Sequence, residues 1–189
     1  MDITQLILDD HHEQRRLFAI LEQVSPTDTA TLTAVWTRLA TFLEVHAAAE
    51  EAIFYPELLQ AGQRAGRLGR TEEETLDAIG DHNEIRDAIA AVPAGDVGSG
   101  AWFTAVAAAN AANSDHMAEE EREGLTDFRR EASLQLRHDL AVSFIAFEAR
   151  NVAGVEPADQ DPQAYVQRAE AEARGLAPGS LGIGSLKGL

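Results

Sequence analysis

The chain has 189 residues, no cysteine and a formal net charge of −17. This length suffices for one domain with a sizeable core and a tail. The absence of cysteine excludes disulfides, cysteine-bound zinc, iron–sulfur clusters and thiol nucleophiles. The acidic balance argues against a nucleic-acid partner, because phosphate binding needs basic patches. The sequence shows no secretory signal and no apolar run long enough to span a membrane, so we expect a cytoplasmic protein with no membrane partner.

Amphipathic patterns predict two helices in the first third of the chain. Apolar residues recur at helical spacing over residues 3–24 and again over residues 29–59, and a Ser-Pro-Thr-Asp stretch separates the two segments. Pro56 is expected to end or kink the second helix, since proline lacks the backbone N–H that a helix interior needs. The glycine-rich residues 61–70 are expected to form a loop.

A second pair of helices follows. Thr71 opens a capping box with the glutamates after it and is expected to start the third helix, which ends at Pro93. After a second loop, Ser99 can cap a fourth helix over residues 102–122. Four amphipathic helices joined by short or moderate loops predict an all-α fold, an up-down-up-down four-helix bundle over residues 1–124.

Beyond the bundle, the sequence predicts an additional helix and a tail. Residues 126–152 have a helical pattern, and the region 125–153 is expected either to pack on the bundle or to form a contact in a homo-oligomer. The region 154–189 shifts to proline, glycine, alanine and charge, with a short helix expected over residues 162–174. Its end, residues 176–189, has no periodicity and is expected to be an extended arm or a mobile tail.

The strongest chemical signal is a repeated arrangement of histidine and glutamate. In His46-x-x-x-Glu50, residues four apart share one helix face, so an imidazole and a carboxylate are presented together. The second half of the chain repeats this pair, and an Asp-His dipeptide precedes each pair by about one helix and one loop. In an up-down bundle, such intervals can bring all four histidines to one level of the core. The set consists of His11, His46, Glu50, His82, His116 and Glu120.

The first ligand of this set could be either of two adjacent histidines, His11 or His12. His11 is in phase with the apolar Ile7 and Phe18, whereas His12 lies about 100° further round the helix. We therefore expect His11 in the site and His12 in solvent. Imidazole and carboxylate without thiolate suit iron, manganese or zinc, and ligand type alone does not choose among them.

These motifs resemble the hemerythrin-like proteins, or HHE cation-binding domains, over about residues 3–123. The resemblance rests on Asp10-His11, His46-x-x-x-Glu50-Glu51 with Phe54-Tyr55-Pro56, Asp81-His82-Asn83-Glu84-Ile85-Arg86 and His116-x-x-x-Glu120-Glu121, in this order. It implies a four-helix bundle around two non-haem iron ions with carboxylate and oxo or hydroxo bridges, with iron expected ahead of manganese or zinc. It further implies that Glu50 and Glu120 bridge the ions, that His11 and His46 bind one of them, and that His82 and His116 bind the other.

One position departs from the oxygen-carrying hemerythrins, which resemble this pattern but have a fifth histidine one turn after the third-helix histidine. This chain has Arg86 there, and a protonated guanidinium cannot bind a metal. We therefore expect a centre that reacts with dioxygen, peroxide or nitric oxide, for example by peroxide disproportionation or iron oxidation. Two alternatives stay open: an iron or oxygen carrier or sensor without turnover, and a structural zinc site.

The neighbours of these residues receive supporting roles, and no catalytic residue is assigned. Arg15 and Arg86 are expected to gate access or to pair with Glu50 or Glu120, with surface salt bridges as the alternative. Tyr55 could supply a phenol near the site, although packing is the favoured interpretation. Further expectations concern residues beside the ligands: a solvent-facing position or a supporting role for Glu51 and Glu121, ligand orientation or surface charge for Asp10 and Asp81, and a structural role for His138.

Overall fold

The computed structural model describes residues 1–175, and this part of the chain is helical without a strand, so the predicted all-α class is confirmed. The predicted arm at residues 176–189 lies outside the described residues. The helical elements in chain order are α1 (Ile3–Gln23), α2 (Thr29–Ala49), a π-helical segment (Glu50–Phe54), α3 (Tyr55–Arg64), α4 (Leu68–Ala90), α5 (Gly100–Arg122), α6 (Gly124–Glu131), α7 (Leu134–Arg150) and α8 (Pro162–Gly175).

The bundle has two apolar clusters with a polar layer between them. Helix α1 packs on α2 and α4 packs on α5, and further contacts join the two pairs. One cluster surrounds Leu39 and Trp102, and the other surrounds Phe54 and Phe128. On the apolar faces of α1, α2, α4 and α5, histidine or glutamate replaces apolar residues at the level between the clusters. The predicted bundle is confirmed, and its two apolar clusters fix the level of the histidines.

Two of the predicted helix starts have different outcomes. Ser99 caps α5 as predicted, because its side chain accepts a hydrogen bond from the backbone N–H of Trp102 at 3.1 Å. The predicted cap at Thr71 is wrong, since α4 already begins at Leu68. The hydroxyl of Thr71 donates to the Leu68 carbonyl at 3.0 Å, and its side chain packs directly on Gly62, which has no room for a Cβ. Thr71 therefore contributes to the packing of α3 against α4 instead of capping the start of α4.

The second predicted helix is interrupted next to Glu50. A π-helical segment spans Glu50–Phe54, and α3 then begins with Pro56 in its first turn. Proline is tolerated there because the first helical N–H groups have no partner within the helix. The wider π turn buries both Glu50 and Glu51. Single π turns inside α-helices occur often at functional sites.

The regions beyond the bundle pack on two different sides of it. The predicted helix over residues 126–152 is two helices, because Ser133 caps α7 by accepting from the N–H of Leu136 at 3.2 Å. Helix α7 lies on α1 and α2 with Phe144 fully buried. Helix α8, which the sequence predicted, lies on α3 and α4 and buries Tyr165. Within the described range, the helices are all too short or too polar to cross a bilayer.

Candidate metal centre

Six buried side chains, from α1, α2, the π segment, α4 and α5, meet in the polar layer. The glutamate at the start of the π segment, Glu50, is fully buried at its centre. Two groups of potential metal ligands share it, and in each group the ligand atoms lie within 4.8 Å of one another. The first group is His11, His46 and Glu50, and the second is Glu50, His82 and His116. The structure therefore brings the predicted histidines together in two pairs around one carboxylate.

The two oxygens of Glu50 face different histidine pairs. Oε1 lies 3.0 Å from Nε2 of His46, and Oε2 lies 3.3 Å from Nε2 of His82. Neither oxygen has a hydrogen-bond partner. Burial opposes ionisation of Glu50, but His46 and His82 hold its pKa well below the usual range. An ionised carboxylate between two imidazole pairs is the arrangement that a bridging ligand needs.

Glu120 lies beside these two groups rather than within them. Its Oε2 is 3.4 Å from Nε2 of His11, and both of its oxygens are buried without a hydrogen-bond partner. Burial, with the neighbouring Glu50 carboxylate, raises the pKa of Glu120 well above its usual value. The Nε2 atoms of His11 and His46 are likewise unpartnered. Unpaired buried polar atoms are costly, and cations bound among them would satisfy all of them, so these residues fit a metal centre.

Every histidine of the centre has a carboxylate at its other ring nitrogen. The distances from Nδ1 to the nearest carboxylate oxygen are 3.0 Å for His11 and Glu121, 3.3 Å for His46 and Asp10, 2.9 Å for His82 and Glu51, and 3.4 Å for His116 and Asp81. The contacts of His11, His82 and His116 are hydrogen bonds, whereas Nδ1 of His46 lies close to Asp10 without forming one. An Nδ1–H that donates to a carboxylate leaves Nε2 bare and raises its basicity, so three of the four imidazoles are oriented by a hydrogen bond and the fourth by proximity to a carboxylate.

These carboxylates act across helices rather than along them. Asp10 precedes His11 in the chain but reaches His46 on α2, and Asp81 precedes His82 but reaches His116. A residue one position from a ligand points about 100° away, toward the neighbouring helix. The repeated Asp-His dipeptide therefore supplies one ligand and the orientation of another.

The two arginines pair differently from the prediction. Arg15 lies 2.8 Å from Glu121 and Arg86 lies 2.6 Å from Glu51, so the predicted pairing with Glu50 or Glu120 is wrong. Of the two alternatives expected for Glu51, the solvent-facing position is wrong because the residue is buried in the π segment, and its contact with His82 agrees with the supporting role. The sequence contained a signal for these two pairs. A second glutamate follows each ligand glutamate directly, and an arginine stands four residues after the histidine of each Asp-His.

A family model described as the hemerythrin HHE cation binding domain matches residues 2–125. The chain belongs to this family. Comparison with curated proteins and with solved structures gave no match. The HHE domain is a cation-binding domain, and the two histidine–glutamate groups of this chain could hold its metal.

A cavity of about 310 Å³ connects the HHE centre to the surface at the side where His116 and Glu120 lie. Its inner wall includes Tyr55, His116 and Glu120, and its outer wall includes Arg70 and Arg122, whose side chains are more than half exposed. The hydroxyl of Tyr55 lies 3.4 Å from Nε2 of His82, so this residue both packs in the core and presents a phenol to the centre. The cavity gives small molecules a route to the ligands.

The helices beyond the HHE domain add residues that sequence reasoning missed. Glu148 of α7 forms a third potential ligand group with Asp10 and His46. Burial and the nearby Asp10 carboxylate raise the pKa of Glu148 to about 7. The position of α7 on the bundle, which no local pattern encodes, brings it there. The two remaining histidines, His12 and His138, are exposed, as expected for His12.

Proposed function

We propose that this HHE-domain protein binds two iron ions and that the centre reacts with dioxygen, peroxide or nitric oxide. The observation that carries the proposal is the position of Glu50, fully buried, with one oxygen toward His46 and the other toward His82. A carboxylate in this position can serve two ions at once. The unpartnered, buried oxygens of Glu120 supply a second carboxylate beside it.

In the proposed assignment, His11 and His46 would hold one ion and His82 and His116 the other, with Glu50 and Glu120 between them. Two imidazoles and two carboxylates leave positions free on an octahedral ion, where a small oxidant can bind and exchange electrons with the metal. The chain's own part is to hold the imidazoles by their Nδ1 atoms. It also excludes bulk water by burial, so that access is through the cavity at Tyr55.

Arg86 supports turnover over reversible carriage. Its guanidinium lies 2.6 Å from Glu51 and 3.4 Å from Glu44, so it is engaged in ion pairs and adds no ligand where oxygen carriers have a histidine. Both ions would then keep free positions. Peroxide disproportionation fits such a centre chemically, because one peroxide is oxidised to dioxygen while a second is reduced to water and no further reductant is needed.

The test begins with anaerobic loading by ferrous iron and a count of iron per chain. Optical spectra are then recorded on exposure to oxygen and after its removal, and dioxygen release from added peroxide is measured. We expect about two irons, irreversible oxidation and peroxide turnover. Glu50→Gln should lose iron and turnover, whereas His12→Gln, one residue from a proposed ligand, should lose neither.

Each alternative has its own outcome in this experiment. If the protein binds two irons, its spectrum changes reversibly with oxygen and added peroxide is not consumed, the protein is a carrier or sensor and not an enzyme. Zinc in the protein as isolated, with no redox response after iron loading, would indicate a structural site. Binding of no metal by the wild-type chain would overturn the proposed centre itself.

A further inference from the structure

The segment that follows the HHE domain and α7, residues 154–175, lies over one half of the centre only. Its Gln160 donates a side-chain hydrogen bond to the carboxylate of Glu51, and its Tyr165 hydroxyl donates to the backbone carbonyl of the same residue. Glu51 is the carboxylate at Nδ1 of His82. The family match ends at residue 125, so these contacts come from a segment outside the matched domain.

A second set of bonds fixes Gln160 itself. The side-chain amide of Asn83, the residue after His82, donates to the Gln160 carbonyl at 2.7 Å and accepts from the Gln160 N–H at 3.0 Å. Arg168 of α8 donates to the Gln160 side-chain oxygen at 2.7 Å. The C-terminal segment is therefore bonded to residues on both sides of His82, one on α4 and one in the π segment.

The other half of the centre has no such cover from this segment. Position for position in the repeat, Glu121 corresponds to Glu51, and Arg15 corresponds to Arg86. The hydrogen bonds to the histidines are equally short, 3.0 Å at His11 and 2.9 Å at His82. Burial differs: the side chains of Glu121 and Arg15 are 28% and 38% exposed, against 7% for both Glu51 and Arg86. Water can compete for the first carboxylate and is excluded from the second.

We propose that the C-terminal segment makes the two metal positions unequal, with Gln160 and Tyr165 acting as positioning residues for His82 through Glu51. This inference depends on the proposed two-metal centre. Carboxylates that orient a metal-binding histidine typically contribute a factor of about 10 to 100 in metal affinity, and a buried, fully bonded carboxylate loses less orientation to solvent. The position at His82 and His116 is therefore the tighter one, and the position at His11 and His46 fills last.

Cobalt(II) is the probe, because its visible absorption reports ligand geometry without redox chemistry. Apo protein of the full chain is titrated with Co²⁺, and we expect two binding phases that differ by at least about tenfold in affinity. The double variant Gln160→Ala/Tyr165→Phe should weaken the tighter phase by about tenfold and leave the looser phase and the stoichiometry unchanged. Gln163→Ala, an exposed glutamine on the same helix, is the matched control and should change neither phase.

His46→Ala and His116→Ala, each of which leaves one position intact, assign the phases. The Gln160→Ala/Tyr165→Phe change should weaken Co²⁺ binding when combined with His46→Ala and not when combined with His116→Ala. If circular dichroism shows that His46→Ala or His116→Ala does not fold, the Gln160→Ala/Tyr165→Phe variant with all its histidines still tests the inference. It should weaken only one of the two Co²⁺ phases, together with the absorption bands of that phase. Equal wild-type phases, an unchanged tighter phase, or equal weakening of both would overturn the inference while leaving the two-metal centre intact. Absence of Co²⁺ binding would instead overturn the proposed function.

Discussion

The two arginines of the centre are related by the internal repeat but should contribute very differently to stability. Arg86 is 7% exposed and its guanidinium serves both Glu51 and Glu44, at 2.6 Å and 3.4 Å. Arg15 is 38% exposed and serves Glu121 at 2.8 Å. Replacement by methionine keeps most of the apolar stem and removes only the charge, so each variant reports mainly on its ion pair.

The expected magnitudes follow from this difference in burial. Arg86→Met leaves two buried carboxylates without their cation, which typically costs about 3–5 kcal/mol. Arg15→Met removes a solvent-exposed pair and should cost at most about 1 kcal/mol. For a chain of this size, the first change corresponds to a fall in Tm of about 6–20 °C and the second to at most about 4 °C.

Urea unfolding of the metal-free protein, followed by far-UV circular dichroism, measures both values. The m-value should stay constant across the variants, so that a change in midpoint reports stability alone. The double variant Arg86→Met/Glu51→Gln, which removes charge from both partners, should recover part of the loss. Equal costs for the two single variants, within about 0.5 kcal/mol, would refute the argument from burial.

Three further predictions concern the ligands, pH and packing. His11→Gln should lower bound iron from about two to about one per chain, whereas His12→Gln should leave it unchanged, as measured by metal analysis after ferrous loading. Burial lowers the pKa of His11 from 6.5 to about 4; the unfolded chain then binds the extra proton between these values, so the contribution of His11 to metal-free stability should rise with pH over this window by up to about 3 kcal/mol. Glu148, whose pKa is raised, contributes in the opposite sense, so the test compares urea midpoints of the wild type and of His11→Gln at several pH values, and the difference between them should grow with pH. Phe144→Ala should cost about 3–5 kcal/mol in urea unfolding because the ring is fully buried on α7, and little loss, comparable to that of the exposed Val142→Ala, would show that α7 does not belong to the folding unit.

Local sequence patterns predicted most of the fold because a helix is specified by periodicity within one segment. The extent of α1, the cap at Ser99 and the short helix α8 are all encoded within a few turns. Two predictions failed for different reasons, one because of a contact with another segment and one because of a local cap. Thr71 packs on Gly62 instead of capping, and the break before α7 depends on one serine within a continuous helical pattern.

The candidate site divides in the same way. Helical phase by itself selected His11 over His12, and it grouped His46 with Glu50 and His116 with Glu120. An acidic residue also stands next to His11, Glu50, His82 and Glu120 in the chain, but the sequence could not say which histidine each of these acids contacts. The structure shows that each of these acids contacts a histidine on another helical element. The reason is that adjacent positions of a helix point about 100° apart.

What the sequence determined by itself is the set of helices and the repeated ligand pattern, since both are short-range and periodic. Only the tertiary structure decided that both oxygens of Glu50 meet imidazoles, that a π turn buries Glu51, and that α7 packs on α1 and α2 while α8 packs on α3 and α4. Glu51 and Gln160 are more than a hundred residues apart in the chain. Their contact depends on how whole helices pack, and the free energy that selects this packing is the burial of apolar surface over the entire domain rather than any local preference.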